Sequence, residues 1–163
     1  MIALATWKTP FAVHILYPAI LVGLTSEFIQ IKGGGHATNP GFSSTTGIQI
    51  YMCRFDQITY NDSDETVDVG AGCLWDEVYK YLNENHAGHG VVGGATTGGV
   101  GVAGYLLGGG YSIKTNQYGL GIDNVVKFEV VLTSGEIKVV ENDWYHSDLF
   151  MALKVNFPVL CAL

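Results

Sequence analysis

Positive charge is scarce in this 163-residue sequence: eight lysines and arginines face fifteen aspartates and glutamates, for a formal charge of −7. No basic run exists. That excludes a nucleic-acid surface, which needs clustered Lys and Arg to meet backbone phosphates. Cysteine is scarce too. Cys53, Cys73 and Cys161 show no CxxC spacing and no repeated pairing with histidine, and an odd count builds no disulfide framework. They read as small buried hydrophobes. A long unbroken apolar run is also lacking. The N-terminus, MIALATWKTPFAVHILYPAILVGLTSEF, is interrupted by Lys8, Pro10, His14 and Pro18, so it falls short of the ~20 residues a membrane span requires. An early basic residue, a clean apolar core and a small-x-small cleavage site are only poorly supplied. The compartment stays unassigned.

What the chain does have is apolar mass and glycine. Nearly half of it, 48%, is hydrophobic, enough for the core of one ordinary domain and against disorder. Its 22 glycines are clustered rather than spread, as in loops that cradle a ligand rather than in a flexible linker. Phe28 to Lys32 alternates as a short strand, and Ala19 to Ser26 reads as the end of a helix. Ile48 to Cys53, Ile58 to Tyr60 and Thr66 to Val69 read as further strands. Leu74, Val78 and Leu82 lie four apart, with Trp75 and Tyr79 beside them, predicting an amphipathic helix over 74–83. Val125 to Leu132 and Glu136 to Val140 flank Thr133-Ser134-Gly135 as a β-hairpin, and Ser147-Asp148 opens a short helix through Lys154. Strands outnumber helices and their connections are short, so the expected class is α+β.

Two glycine segments carry the chemistry. The first is IKGGGHATNP, residues 31–40, where three glycines follow a strand and a histidine follows them. The second is Gly93 to Gly110, within a stretch from Gly88 onward that holds no Asp, Glu, Lys or Arg. Within it, Gly99-Val100-Gly101-Val102-Ala103-Gly104 matches GxGxxG, with Asp123 about 20 residues on. That fingerprint should follow a hydrophobic strand and open a regular helix. Here Gly93-Gly94-Ala95-Thr96-Thr97-Gly98 precedes it, and Gly108-Gly109-Gly110 stops any helix after about a turn. A Rossmann NAD site is therefore the weaker reading. Gly108 to Thr115 also brushes against a phosphate-loop pattern, but Ile113 stands where its second glycine belongs. Taken together, the two segments expose consecutive amides and no cationic side chain except Lys32, the composition of a backbone nest for a pyrophosphate. On the residues alone, glycines that only let turns and sheets pack closely remain the equal alternative.

Five blocks then settle on one likeness: KGGGHATNPGFSS, VDVGAGCLWDEVYKYL, GVGVAGYLLGGGYS, TNQYGLGIDNVVKFEVVLTSGE and SDLFMALK. In this order they resemble the PCMH-type FAD-binding domain of the vanillyl-alcohol oxidase and berberine-bridge-enzyme-like flavoproteins, fungal FAD-linked oxidases similar to 6-hydroxynicotine oxidase among them. The resemblance covers about residues 28–154. It implies two small α/β subdomains and an FAD lying between them. It places Gly33, Gly34, Gly35, His36 and Ala37 on the pyrophosphate side, with Lys32 where arginine is usual. Thr97, Gly98, Gly101, Val102, Gly104 and Tyr111 would form the other wall. The segment with Gly121 and Asp123 would enter the strand that faces the flavin, with Asp123 as a structural cap.

The resemblance implies a covalent bond from His36 to the flavin 8α-methyl carbon. A second tether, a cysteine in some relatives, falls here on Thr97, so one link at most is expected. The chemistry implied is oxidation of an alcohol, amine or sugar: a base takes a proton, hydride passes to the flavin, and dioxygen reoxidises it. Residues 1–27 and 155–163 do not follow the pattern, and the substrate domain that would bring the small-molecule substrate is expected to be missing. A truncated gene product is the expectation, with weak FAD binding, little turnover and, by family alone, possible secretion. The runner-up is a non-catalytic flavin- or nucleotide-binding module. His86 and His89, in NENHAGHG, are read as a solvated loop rather than metal ligands; no metal is expected.

Overall fold

The computed structural model describes residues 17–18, 29–94, 97–132, 134–141 and 147–155. The helix end expected at 19–26 and the third cysteine, Cys161, lie outside them, as does most of the tail from 155. Strand β1 (Tyr17–Pro18) is followed by β2 (Ile29–Lys32) and β3 (Ile48–Tyr51). β2 and β3 pair in parallel, Ile31 opposite Ile50 and Lys32 opposite Tyr51. Parallel partners need a long crossover, and the glycine-histidine loop, residues 33–47, supplies it without a helix. β3 stops at Tyr51, two residues before the expected end, because the Phe55 amide turns back to the Met52 carbonyl at 2.8 Å.

β4 (Ile58–Asn61) and β5 (Thr66–Val69) form an antiparallel hairpin. The chain then folds back along residues 52–57: the Gly72 amide donates to the Phe55 carbonyl at 2.9 Å, and a Cβ on Gly72 would overlap the Met52 carbonyl. Helix α1 (Trp75–Asn85) buries Trp75, Val78 and Leu82 on one stripe. Its acidic first turn suits the positive end of the helix dipole. The Glu77 carboxylate closes that turn by accepting the Leu74 amide at 2.7 Å.

After α1 come α2 (Val102–Leu107), the single turn α3 (Thr115–Tyr118) and a 3-10 turn (Gly121–Asn124). The hairpin β6 (Lys127–Val131) and β7 (Ile137–Glu141) follows, then α4 (Ser147–Val155). The expected strand start at Val125 moves to Lys127, because the Val125 amide is held by the Ile122 carbonyl of the 3-10 turn. β1 lies parallel to β6, and β7 completes a three-stranded sheet. Phe150 of α4 packs on Phe128 of β6 with ring centroids 5.6 Å apart. The core runs from this pair through Leu106 and Val102 to Val67, Val69 and Val78. Among the described residues no helix is long and apolar enough to cross a membrane.

Candidate functional site

The first glycine loop leaves β2 and comes to rest on the stretch between β5 and α1. A Cβ on Gly33 would stand 3.3 Å from the Ala71 carbonyl oxygen. One residue on, the backbone of Gly34 touches that of Gly101: a Cβ there would lie 2.6 Å from the Gly101 amide nitrogen and 2.9 Å from Leu74 Cδ2. Gly101 is fixed by a two-way bridge to the start of α1. The Trp75 amide donates to the Val100 carbonyl and the Val102 amide to the Cys73 carbonyl, both at 3.0 Å. The two glycine segments therefore meet main chain to main chain, where only glycines fit.

Beside this contact lies a cleft of about 340 Å³, lined by Ile31 to Ala37 from one side and by Val100, Gly101, Gly104 and Tyr105 from the other. That is within the size of small-molecule sites. Gly104, on α2, has nothing within 4 Å of the place a Cβ would take. Among the described residues, none of the main-chain amides from Gly33 to Ala37 donates to a protein acceptor. Amides of this kind need partners from water or a ligand. Among the described residues the cleft wall holds no carboxylate; its basic side chains are Lys32 and His36.

His36 is exposed, and its Cδ2 lies 3.8 Å from where a Cβ of Gly99 would be. It thus stands at the junction of both segments. The Gly99 amide is itself held by the Asp76 carboxylate at 2.7 Å. Tyr105 lines the cleft, donates its hydroxyl to the Tyr111 carbonyl and packs edge-on to Trp75 at 5.7 Å. Burial pushes its phenol pKa up.

Of the residues expected from the sequence, Gly33, Gly34, Gly35, His36, Ala37, Gly101 and Gly104 share the cleft. Thr97 and Gly98 are exposed just before the bridge. Val102 turns its side chain into the core, fully buried. Tyr111 is 70% exposed and contributes its carbonyl to Tyr105. Gly121 is buried behind α2 against Leu106. The Asp123 carboxylate accepts the Leu120 amide at 2.9 Å at the start of the 3-10 turn. Phe42, Gln30 and Tyr105 line the cleft without having been singled out. Gln30 gets there by holding the Phe42 carbonyl at 2.7 Å, a tie with no sequence pattern. His86 and His89 flank the Tyr60 ring at 4.2 and 5.2 Å. The GxGxxG match sits on an antiparallel bridge and opens a helix of six residues, not a βαβ unit.

Residues 26–141 match the family model described as "FAD binding domain". An "Uncharacterized FAD-linked oxidoreductase" of Arthroderma benhamiae is 43% identical over 148 residues, which are 88% of this chain and 29% of that protein. A "FAD-dependent monooxygenase" of Penicillium terrestre is 43% identical over 139 residues, 83% of this chain and 26% of its own length. Among solved structures, 6-hydroxy-D-nicotine oxidase from Arthrobacter nicotinovorans matches with a TM-score of 0.69 at 25% identity, covering 78% of this chain and 27% of that one. Glucooligosaccharide oxidase from Acremonium strictum matches with a TM-score of 0.66 at 29% identity, covering 78% and 26%. Its FAD is described as 6-S-cysteinyl, 8α-N1-histidyl. The chain thus spans less than a third of the curated relatives it matches.

Proposed function

This chain belongs to the FAD binding domain family, and from that premise we propose that its cleft is the FAD site, with the diphosphate on the main-chain amides of Gly33 to Ala37. It has the PCMH-type FAD-binding fold and is the FAD-binding part of an FAD-linked oxidoreductase. One observation carries the site assignment. Among the described residues, the five consecutive amides of the cleft-lining loop Gly33 to Ala37 have no protein acceptor, and Gly104 across the cleft leaves open space where a side chain would be. Anions suit such a surface because each phosphate oxygen takes charge-assisted bonds from several amides. The Gly34–Gly101 contact fixes the distance between the two walls.

When bound, the flavin supplies a two-electron acceptor for hydride. The chain's own residues bind and orient it. The amides hold the diphosphate, Lys32 adds a positive charge, and α2 bounds the far side at Gly104 and Tyr105. His36 is the proposed attachment point, exposed on the loop where both segments meet; the histidyl linkage of the glucooligosaccharide oxidase supports it. Thr97 has no sulfur, so a cysteinyl link there is excluded and a single bond is expected. The substrate would be an alcohol, amine or sugar carrying a CH–OH or CH–N group, met by parts of a longer protein beyond the residues matched here. Visible absorbance tests the site. Chain purified with FAD shows the flavin bands at one cofactor per molecule; chain that stays colourless in excess FAD refutes the assignment.

A further inference from the structure

Building on the FAD site above, we propose that Lys32 is the residue that recognises the cofactor's diphosphate, and that Tyr51 holds its ammonium aside until that anion arrives. Lys32 ends β2, so its backbone is fixed: its carbonyl accepts the Met52 amide at 2.8 Å, and Tyr51 is its register partner on β3. From there the side chain runs over the loop. Its Cε occupies the place a Cβ of Gly35 would need, and its Nζ lies 3.2 Å from that point. Only a glycine at 35, with its φ of +74°, lets the stem pass. The ammonium therefore stands over the loop whose amides lack protein acceptors.

Its present partner is weak. Nζ lies 5.2 Å from the centroid of the Tyr51 ring, and Tyr51 is 53% exposed. A cation–π contact at such a site is easily given up. A phosphate oxygen offers a charge-assisted hydrogen bond, about twice as strong as a neutral one. Among the described residues lining the cleft, Lys32 is the single lysine or arginine, and its ammonium stands over the loop proposed to hold the anion. Two consequences follow from the exchange. Removing the ammonium weakens the cofactor, while removing the ring strengthens it, because the free state loses a contact that binding must break.

The test is a fluorescence titration of FAD into the full chain at two salt concentrations, with His36→Ala as the parent so that binding is reversible. Lys32→Met should weaken FAD roughly tenfold and flatten the salt dependence, with the unfolding midpoint of the free protein unchanged. Lys32→Arg should restore most of the affinity. Tyr51→Leu should tighten FAD about two- to fivefold and should change nothing when Lys32 is already Met. Equal affinity and equal salt dependence in parent and Lys32→Met would overturn the proposal, as would weaker binding in Tyr51→Leu. A parent that takes up no FAD at any concentration is a different result, one that refutes the site itself.

Discussion

Gly34 and Gly101 touch backbone to backbone, with Gly101 Cα 2.8 Å from where a Cβ on Gly34 would stand. A methyl group on either must push one glycine segment off the other. Gly34→Ala and Gly101→Ala should each lower unfolding stability by about 1–3 kcal/mol, the usual cost of overpacking. Urea melts measure this. The double variant should lose less than the sum, because both changes relieve themselves by the same separation.

Gly104 makes the opposite case. It lies within α2 with empty space where its side chain would be. Gly104→Ala should therefore gain up to about 1 kcal/mol of stability from helix propensity. The same methyl group enters the cleft and should weaken FAD. A variant more stable yet poorer in cofactor separates binding from folding; one that keeps full affinity places the cofactor elsewhere.

Cys73 is fully buried, and burial is the main reason its thiol is pushed up to about 11, with Glu77 adding to it. In the unfolded chain a thiol ionises near 9. Between these values the unfolded state has lost a proton that the folded state keeps. Stability from this group is intact below pH 9 and falls as pH rises toward 11, by about 2–3 kcal/mol in all. Cys53 is exposed. Alkylation at pH 8 followed by peptide mapping should label Cys53 in the native protein and Cys73 only after denaturant is added.

Much of the fold was legible because its signals are periodic. Trp75, Val78 and Leu82 repeat at helical spacing, and Phe128, Val130 and Val140 alternate about a turn that Gly135 closes. The two glycine segments were legible as candidates, and the five sequence blocks joined them to FAD. Their contact was not. Gly34 and Gly101 have no side chains, so their meeting leaves no hydrophobic pattern. The pairing of Tyr17 with Val130 spans most of the chain and is equally silent. Val102 lies in the second glycine segment and Tyr111 just after it, but the turn of α2 and the loop that follows aim their side chains into the core and into solvent. Tyr105 reaches the cleft through that same turn.

His36 and Thr97 give the tether prediction. Acid precipitation of flavin-loaded protein should leave the yellow colour in the pellet, and intact mass should report one FAD added. His36→Ala should release all colour to the supernatant while still binding FAD reversibly. Colour retained in the pellet of that variant would assign the bond to another residue.

The central claim is that both glycine segments grip one cofactor, and amide hydrogen exchange with and without FAD tests it most directly. The His36→Ala chain avoids interference from the bond. Added FAD should slow exchange across residues 33–37 and 99–104 together, to the same saturation point. Bound FAD that protects only one of these segments, or neither, would contradict the shared cleft as its site.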